Sequence, residues 1–363
     1  KEFFGGKMNS SVLLSSSSDQ TVSEVLDKLI LKIDLSRLEM RSIIKKIMSG
    51  ELSVAQVAAI IVALRIKGET VEEIVGAVEV MRELVTEVNL GDETIVDLCG
   101  TGGDGASTFN ISTAAMFVVA GAGTKVAKHG GRAVSSKAGS ADLLESLGAN
   151  INLGPDEVRK SLEMTGIGFM FAPNHHPAMK NVAPIRKDLG IRTIFNILGP
   201  LTNPARAKRQ LMGVFDKSLL RPLAEALKIL GSEHVLLVHG ESGLDEISLE
   251  GKTFYAELKD GRVTEGILTP QDFGLSNKTT SEVTKSLKTN SIEESKSMVL
   301  ESLSSAEGSP QNIVALNAGA AIYVGGSVAS LRDGYLKAKE VIKSGEAKEI
   351  LEKFVKFTSS SQA

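Results

Sequence analysis

Hydrophobic and polar positions along the chain fall into two textures that change near Thr94. Between Thr21 and Leu90, apolar residues recur at helical spacing in four groups: Val22, Val25, Leu26 and Leu29; Met40, Ile43, Ile44 and Ile47; Val54, Val57, Ala58 and Ile61; then Ile74, Val78 and Met81. A hydroxyl residue and a Glu or Gln three places on stand at the head of each group: Thr21/Glu24, Ser36/Glu39, Ser53/Gln56 and Thr70/Glu73. That spacing is the capping box, in which the two side chains satisfy N–H groups left over at a helix start. Gly50 and Gly68 are natural stops. No strand pattern interrupts, so the region reads as a small all-helical domain.

From Thr94 the segment TIVDL reads as a buried strand, and short apolar runs then alternate with helical stretches. The alternation predicts an α/β domain with a mostly parallel sheet flanked by helices. Further strands are expected at 126–128, 167–171, 211–215, 235–238 and 254–258, the last with an antiparallel neighbour. Helices are expected at 112–120, 140–147 and 219–230, with two or three more between 291 and 357. The polar stretch 276–288 reads as an exposed connection.

At 363 residues the chain suits two structural domains sharing one cleft. Its 41 Lys and Arg against 44 Asp and Glu leave a net charge of −3, which gives no general attraction to nucleic acid or an anionic membrane. A phosphate site must therefore be local. The single cysteine, Cys99, excludes an internal disulfide and suits a reducing cytoplasm, where the protein is expected to act. No run of about 18 apolar residues is present, so no membrane span is expected. Residues 1–20 read as a serine-rich tail outside the fold, with an apolar part too short for a signal sequence.

Gly100, Gly102 and Gly105 form G-x-G-x-x-G between a strand and a helix, the setting of a dinucleotide-binding turn. That turn needs an acidic residue about 20 positions on, and none occurs from Gly105 to Ala141. A Walker A loop fails as well, because Ala106 stands where Lys is required. Hydroxyls, amides and cations follow instead: Ser107, Thr108, Asn110, Ser112 and Thr113, then Lys125, Lys128, His129, Arg132 and Lys137. Glycine lets backbone N–H groups approach phosphate oxygens, and a helix starting near Ser112 adds its positive end. Asp104, inside the loop, suits ribose hydroxyls, a metal-bound water or a plain turn.

Asp245 and Glu246 follow the strand VLLVHG across a short loop, where α/β proteins place ligand contacts. Adjacent carboxylates repel, and a hard cation relieves that repulsion. Mg²⁺ binds through one or two carboxylates together with substrate phosphate and water, so the pair suits a metal arriving with a polyphosphate. His175 and His176 are neighbours and do not face one transition metal from a helix. H-E-x-x-H and G-x-S-x-G are both missing, and Cys99 reads as a buried small apolar group.

The blocks DLCGTGGDGASTFNIST, KHGGRAVSSKAGSADLLESLG, FMFAPNHHPAMKNVAPIRKDLGIRTIFNILGPLTNP and HGESGLDEIS, in this order and spacing, closely resemble the anthranilate phosphoribosyltransferases of tryptophan biosynthesis. The likeness runs from about Thr21 to about Phe357. It implies a helical domain of 21–92 plus about 175–200, hinged to an α/β domain of 93–174 plus about 201–357, with tails at 1–20 and 358–363. It also implies transfer of the 5-phosphoribosyl group from 5-phosphoribosyl 1-diphosphate to the amine of anthranilate, with two Mg²⁺ ions arriving on the diphosphate. A homodimer is expected, and association with anthranilate synthase components is left open.

Carried residue by residue, the resemblance puts Gly100, Gly103, Asp104, Thr108, Asn110, Ile111, Ser112 and Thr113 at the substrates. Lys128, His129, Gly130, Gly131, Arg132, Ala133, Val134, Ser135, Ser136 and Ser140 join them. Ser112, Asp245 and Glu246 become metal-associated, Arg186 meets the anthranilate carboxylate, and His129, Lys128 and Arg186 are the catalytic candidates. Relatives usually read KHGNR, with an Asn that helps hold the aromatic amine, where this chain has Gly131. Two rivals share the scaffold. A pyrimidine nucleoside phosphorylase needs no Mg²⁺-diphosphate apparatus and so no Asp245/Glu246 pair, and a silent nucleic-acid-binding relative needs a basic face that a net charge of −3 does not favour.

Overall fold

All four capping boxes close in the computed structural model, which describes residues 21–91, 93–102, 105–132, 138–275 and 282–360. Thr21, Ser36, Ser53 and Thr70 each accept the N–H three residues on, and Glu24, Glu39, Gln56 and Glu73 reach back to the cap. They start α1 (Val22–Ile30), α2 (Arg37–Ser49), α3 (Val54–Lys67) and α4 (Val71–Leu84). Gly50 ends α2 in the left-handed conformation, the ordinary use of glycine at a helix stop.

The α/β part opens with β1 (Ile95–Gly100), α5 (Ile111–Gly121), β2 (Lys125–Gly130), α6 (Ser140–Ser146), α7 (Pro155–Thr165) and β3 (Ile167–Phe171). The chain then crosses to the helical side through α8 (Ala172–His175), α9 (Ala183–Leu189) and α10 (Phe195–Leu198). It returns as β4 (Arg209–Gly213), α11 (Leu220–Ile229), β5 (His234–Gly240), β6 (Thr253–Lys259) and β7 (Arg262–Leu268). Helices α12 (Glu282–Ser286), α13 (Ile292–Ser302), α14 (Ser309–Gly325), α15 (Leu331–Ser344) and α16 (Glu346–Ser360) complete it.

Four points differ from the sequence expectation. Between 291 and 357 four helices form rather than two or three, because Gly308, Gly326 and Gly345 punctuate a region that hydrophobic spacing alone leaves continuous. Helix α7, started by Gly154 and Pro155, was not anticipated. Of the connection expected to be exposed at 276–288, residues 276–281 lie outside the described set, while α12 and its flank bury Val283 and Leu287. Helix α16 runs through Ser360 with Thr358 fully buried, past the tail boundary expected at 358.

The seven strands lie in the order β3-β2-β1-β4-β5-β6-β7, with the first five parallel and β6 and β7 antiparallel. From β1 the chain winds to β2 and β3 on one side, and its second half starts on the other with β4. That reversal between β1 and β4 opens a crevice at the strands' carboxyl ends, the usual ligand position in such sheets. On one face α5 and α14 pack as an apolar layer. On the other, Ile74 and Met81 of α4 share a cluster with Leu223 and Leu227 of α11, and Val182, Ile185 and Phe195 of the crossing segment join them. Burying each such side chain is worth about 1.5–3 kcal/mol, so this seam holds the helical bundle against the sheet. Among the described residues no helix is long and apolar enough to cross a membrane.

Candidate functional site

Strands β1 and β4 lie side by side and both end in glycine, Gly100 opposite Gly213. The loop after β5 folds over these ends. A Cβ on Gly100 would lie 2.5 Å from Asp245 Oδ2, and one on Gly213 would lie 1.6 Å from the Asp245 carbonyl oxygen. Neither position has room for a side chain, so glycine at both strand ends is what admits Asp245. Asp245 Oδ2 accepts the Gly102 N–H at 3.1 Å. Thr101 completes the joint: its N–H donates to Gly213 O at 2.9 Å, and its hydroxyl accepts the Phe215 N–H at 3.0 Å. The acidic pair and the glycine loop, 143 residues apart, are thus one structure.

Among the described residues no three His, Cys, Asp or Glu side chains gather as a metal cage. Two adjacent carboxylates beside a glycine loop form a donor set suited to Mg²⁺ shared with phosphate oxygens.

Gly103 and Asp104 lie outside the described residues, as do Ala133, Val134, Ser135 and Ser136. The second half of the loop is held from the C-terminal side of the chain. Phe109 N–H donates to Leu287 O at 3.0 Å, Thr289 N–H donates to Ser107 O at 2.9 Å, and Thr108 bridges Lys288. Asn110 then starts α5, with Ile111 buried as its first residue and Ser112 in its first turn. Thr113 is buried with its hydroxyl oxygen unpartnered.

Lys128, on β2, is 2 % exposed. Its Nζ donates to Leu98 O and, at 3.2 Å, to Ser112 Oγ, which carries a buried ammonium to the start of α5. Asp97, fully buried on β1, was not singled out from sequence, although an Asp inside TIVDL is the clue. Its Oδ1 accepts the His129 N–H at 3.3 Å, and its Oδ2 accepts Asn203 Nδ2 at 2.8 Å and Gln210 Nε2 at 3.4 Å. Burial pushes its carboxyl up, opposed by the nearby Lys128 charge. Burial also raises the Cys99 thiol, in keeping with an inert side chain.

His129 is buried, with its ring centroid 4.9 Å from that of His176. Burial and the neighbouring His176, His175 and Lys128 hold its pKa well below the ordinary histidine value. A hydrogen bond to the Gly199 backbone engages the ring, and Nε2 has no partner. His175 donates from Nδ1 to Thr86 O at 3.0 Å. The Nε2 atoms of His175 and His176 are likewise buried without partners. Three neutral imidazoles therefore line the junction of the two domains.

At the end of β2, Gly130 leads to Gly131, whose carbonyl accepts from Ala141 N–H at 3.1 Å and from Ser140 Oγ at 3.4 Å. A Cβ on Gly131 would meet only Ala172 Cβ, at 3.9 Å, so packing does not require glycine here. The exposed Arg132 guanidinium pairs with Asp142 at 2.9 Å and Glu145 at 2.5 Å on α6, which ties this turn to the helix. Arg186, on α9, is half-buried with its guanidinium 6.0 Å from the Phe195 ring. Desolvation lowers its pKa, and among the described residues no carboxylate pairs with it.

Residues 92–348 match the family described as "Glycosyl transferase family, a/b domain", and residues 23–85 match "Glycosyl transferase family, helical bundle domain". The chain is 55 % identical over 341 residues to an anthranilate phosphoribosyltransferase of Polynucleobacter necessarius, covering 94 % of this chain and 99 % of that one. It is similar to the crystal structure of anthranilate phosphoribosyltransferase from Thermus thermophilus, with TM-score 0.85 and 42 % identity over 92 % of this chain and 99 % of that one. The Saccharomyces cerevisiae enzyme in complex with PRPP and Mg gives TM-score 0.84 at 29 % identity, over 93 % and 98 %. With both domains matched in order and identity above half over nearly its whole length, the chain belongs to the anthranilate phosphoribosyltransferase family.

Proposed function

We propose that residues 100–113, Lys128, Ser140 and the Asp245/Glu246 pair hold 5-phosphoribosyl 1-diphosphate with Mg²⁺, and that Arg186 receives the carboxylate of anthranilate. The observation that carries this reading is the closure of Asp245 on the Gly100–Gly102 backbone, which unites a phosphate loop with a metal-ligating pair. The yeast relative in complex with PRPP and Mg supports the choice of donor and metal.

The anthranilate amine attacks the anomeric carbon, the bond from that carbon to the diphosphate oxygen breaks, and N-(5-phosphoribosyl)anthranilate forms with inverted configuration. When bound, Mg²⁺, as two ions in this reading, neutralises charge on the departing diphosphate. Lys128 and the α5 N-terminus add fixed positive charge at the same end; a single well-aimed donor is worth about 3 kcal/mol of transition-state stabilisation. The Lys128 ammonium needs no rearrangement to act, being already held by Leu98 O and Ser112 Oγ.

An aromatic amine is neutral near pH 7 and sheds its proton readily once the new bond forms. His129, kept neutral by burial with Nε2 bare, is a weak acceptor for that proton and a rigid wall for the acceptor. Arg132 ties the chain just after β2 to α6 through its pairs with Asp142 and Glu145.

Within the helical domain, Thr86 N–H donates to His175 O at 2.8 Å and Thr86 O accepts from His175 Nδ1 at 3.0 Å. At the seam between the domains, Val88 N–H donates to Pro204 O at 3.0 Å. Flexing at this seam brings Arg186 toward the donor and excludes water that would otherwise hydrolyse it. Ile30, Leu31 and Leu38, each 69 % exposed, and Ile66, 71 % exposed, lie on the helical domain and support a homodimer through that part. The protein acts in the cytoplasm in this reading. Mixing the protein with anthranilate, Mg²⁺ and 5-phosphoribosyl 1-diphosphate tests the activity: anthranilate fluorescence falls as product forms, and a steady signal with active donor rejects it.

A further inference from the structure

We infer that Ser295, on α13, is a positioning residue for the donor half of the reaction, acting through Asn110. The inference rests on the reading above, in which Asn110 and Ser140 help hold the donor.

Ser295 is 1 % exposed and lies 185 residues from Asn110. Its hydroxyl accepts the Asn110 N–H at 3.2 Å and donates to Asn110 Oδ1 at 2.8 Å. An asparagine amide can present oxygen or nitrogen to either side. Donation from Ser295 fixes oxygen toward α13, so Nδ2 faces the other way and donates to Ala138 O at 3.0 Å. One hydroxyl thus sets the start of α5 and, through the amide, the far end of the β2–α6 loop.

Ser295 does not use its hydroxyl as helical serines ordinarily do, bonding a carbonyl one turn back. Ser302 on the same helix, 0 % exposed, does this, donating to Val299 O at 2.7 Å. Ser295 instead reaches across to the donor loop. The surrounding chain supports the same link: Leu287 and Thr289 pair with Phe109 and Ser107, and Ser107 has φ +54, a left-handed conformation costly for a non-glycine residue. Residues 287–295 therefore clasp the loop that leads into Asn110.

The test compares Ser295→Ala, Ser302→Ala, Asn110→Ala and the double variant Asn110→Ala/Ser295→Ala. Donor KM, anthranilate KM, kcat and melting temperature are measured for each, with Ser295→Cys run in parallel as a variant that keeps the volume. Ser295→Ala should raise donor KM about 5- to 30-fold, the factor expected for one or two kcal/mol, with kcat and anthranilate KM changed less than about twofold. Ser295→Cys should move donor KM the same way by a smaller factor. Ser302→Ala should lower the melting temperature and leave donor KM in place. In the Asn110→Ala background, Ser295→Ala should add nothing to the rise in donor KM.

An unchanged donor KM in both Ser295 variants, an equal rise in both substrates' KM, or additivity in the double variant overturns the inference and leaves the donor-site reading standing. An Asn110→Ala enzyme with unchanged donor KM overturns the donor-site reading and this inference with it.

Discussion

Asp245 Oδ2 accepts the Gly102 N–H at 3.1 Å, while the Asp245 backbone carbonyl fills the place a Gly213 side chain would take. The acidic loop after β5 therefore cannot shift without moving the glycine loop after β1. Gly213→Ala puts a Cβ 1.6 Å from a backbone atom, and backbone has less freedom to yield than a side chain. Overpacking of this kind costs about 1–3 kcal/mol, and here the upper end or more is expected together with a raised donor KM. Denaturant unfolding and donor titration check it; an enzyme of unchanged stability and donor KM contradicts the joint.

Arg186 is half-buried, and desolvation lowers its pKa. Arg186→Ala should weaken anthranilate by about 10- to 100-fold, since hydrogen bonds to charged groups are worth about 1.5–3 kcal/mol. Donor KM should stay near its original value. Equal loss of both substrates in steady-state kinetics counts against the carboxylate contact.

The imidazoles at the domain junction give the protein an acid-sensitive seam. Burial lowers the pKa of His129, His175 and His176, that of His176 to about 4 from an ordinary 6.5. A folded-state pKa below the unfolded value means that protons bind the unfolded chain more tightly. The His176 contribution to stability is then complete above about pH 6.5 and is lost as pH falls from there through about 4. Melting temperature should drop across that window, and His176→Asn should make the drop shallower. A wild-type melting temperature that is flat from pH 6.5 to 4 would contradict this.

Gly131 is a different kind of glycine. With only Ala172 Cβ near an added Cβ, at 3.9 Å, Gly131→Asn should leave stability within about 0.5 kcal/mol of the original. An amide there offers the acceptor a hydrogen bond worth about 1 kcal/mol, so anthranilate KM should fall about fivefold while donor KM holds. Kinetics with both substrates decide it, and a change confined to the donor places Gly131 on the wrong side of the cleft.

What the sequence made legible was local. Capping boxes such as Ser36/Glu39 signal a helix within four residues, and all four formed. The glycine loop and the Asp245/Glu246 pair each read as a candidate site in the sequence, although their contact did not show in the chain. Gly213 looked like any strand-end glycine, because its meaning comes from Asp245 folding over it. Asp97, Asn203 and Gln210 are ordinary polar residues until a sheet and a returning connection bring them together, and Ser295 reads as one serine among many until α13 meets α5. Helix α7 was missed because its cues, Gly154 and Pro155, also mark turns.

The central claim, that the glycine loop and the Asp245/Glu246 pair form one Mg²⁺-dependent donor site, is tested most directly by calorimetric titration of 5-phosphoribosyl 1-diphosphate with and without Mg²⁺. The wild-type chain and the variant Asp245→Asn/Glu246→Gln are compared. The wild type should bind donor at least about tenfold more tightly with Mg²⁺, a difference of about 1.4 kcal/mol, and the variant should lose most of that gain. The same Mg²⁺ enhancement in both proteins would contradict the assignment.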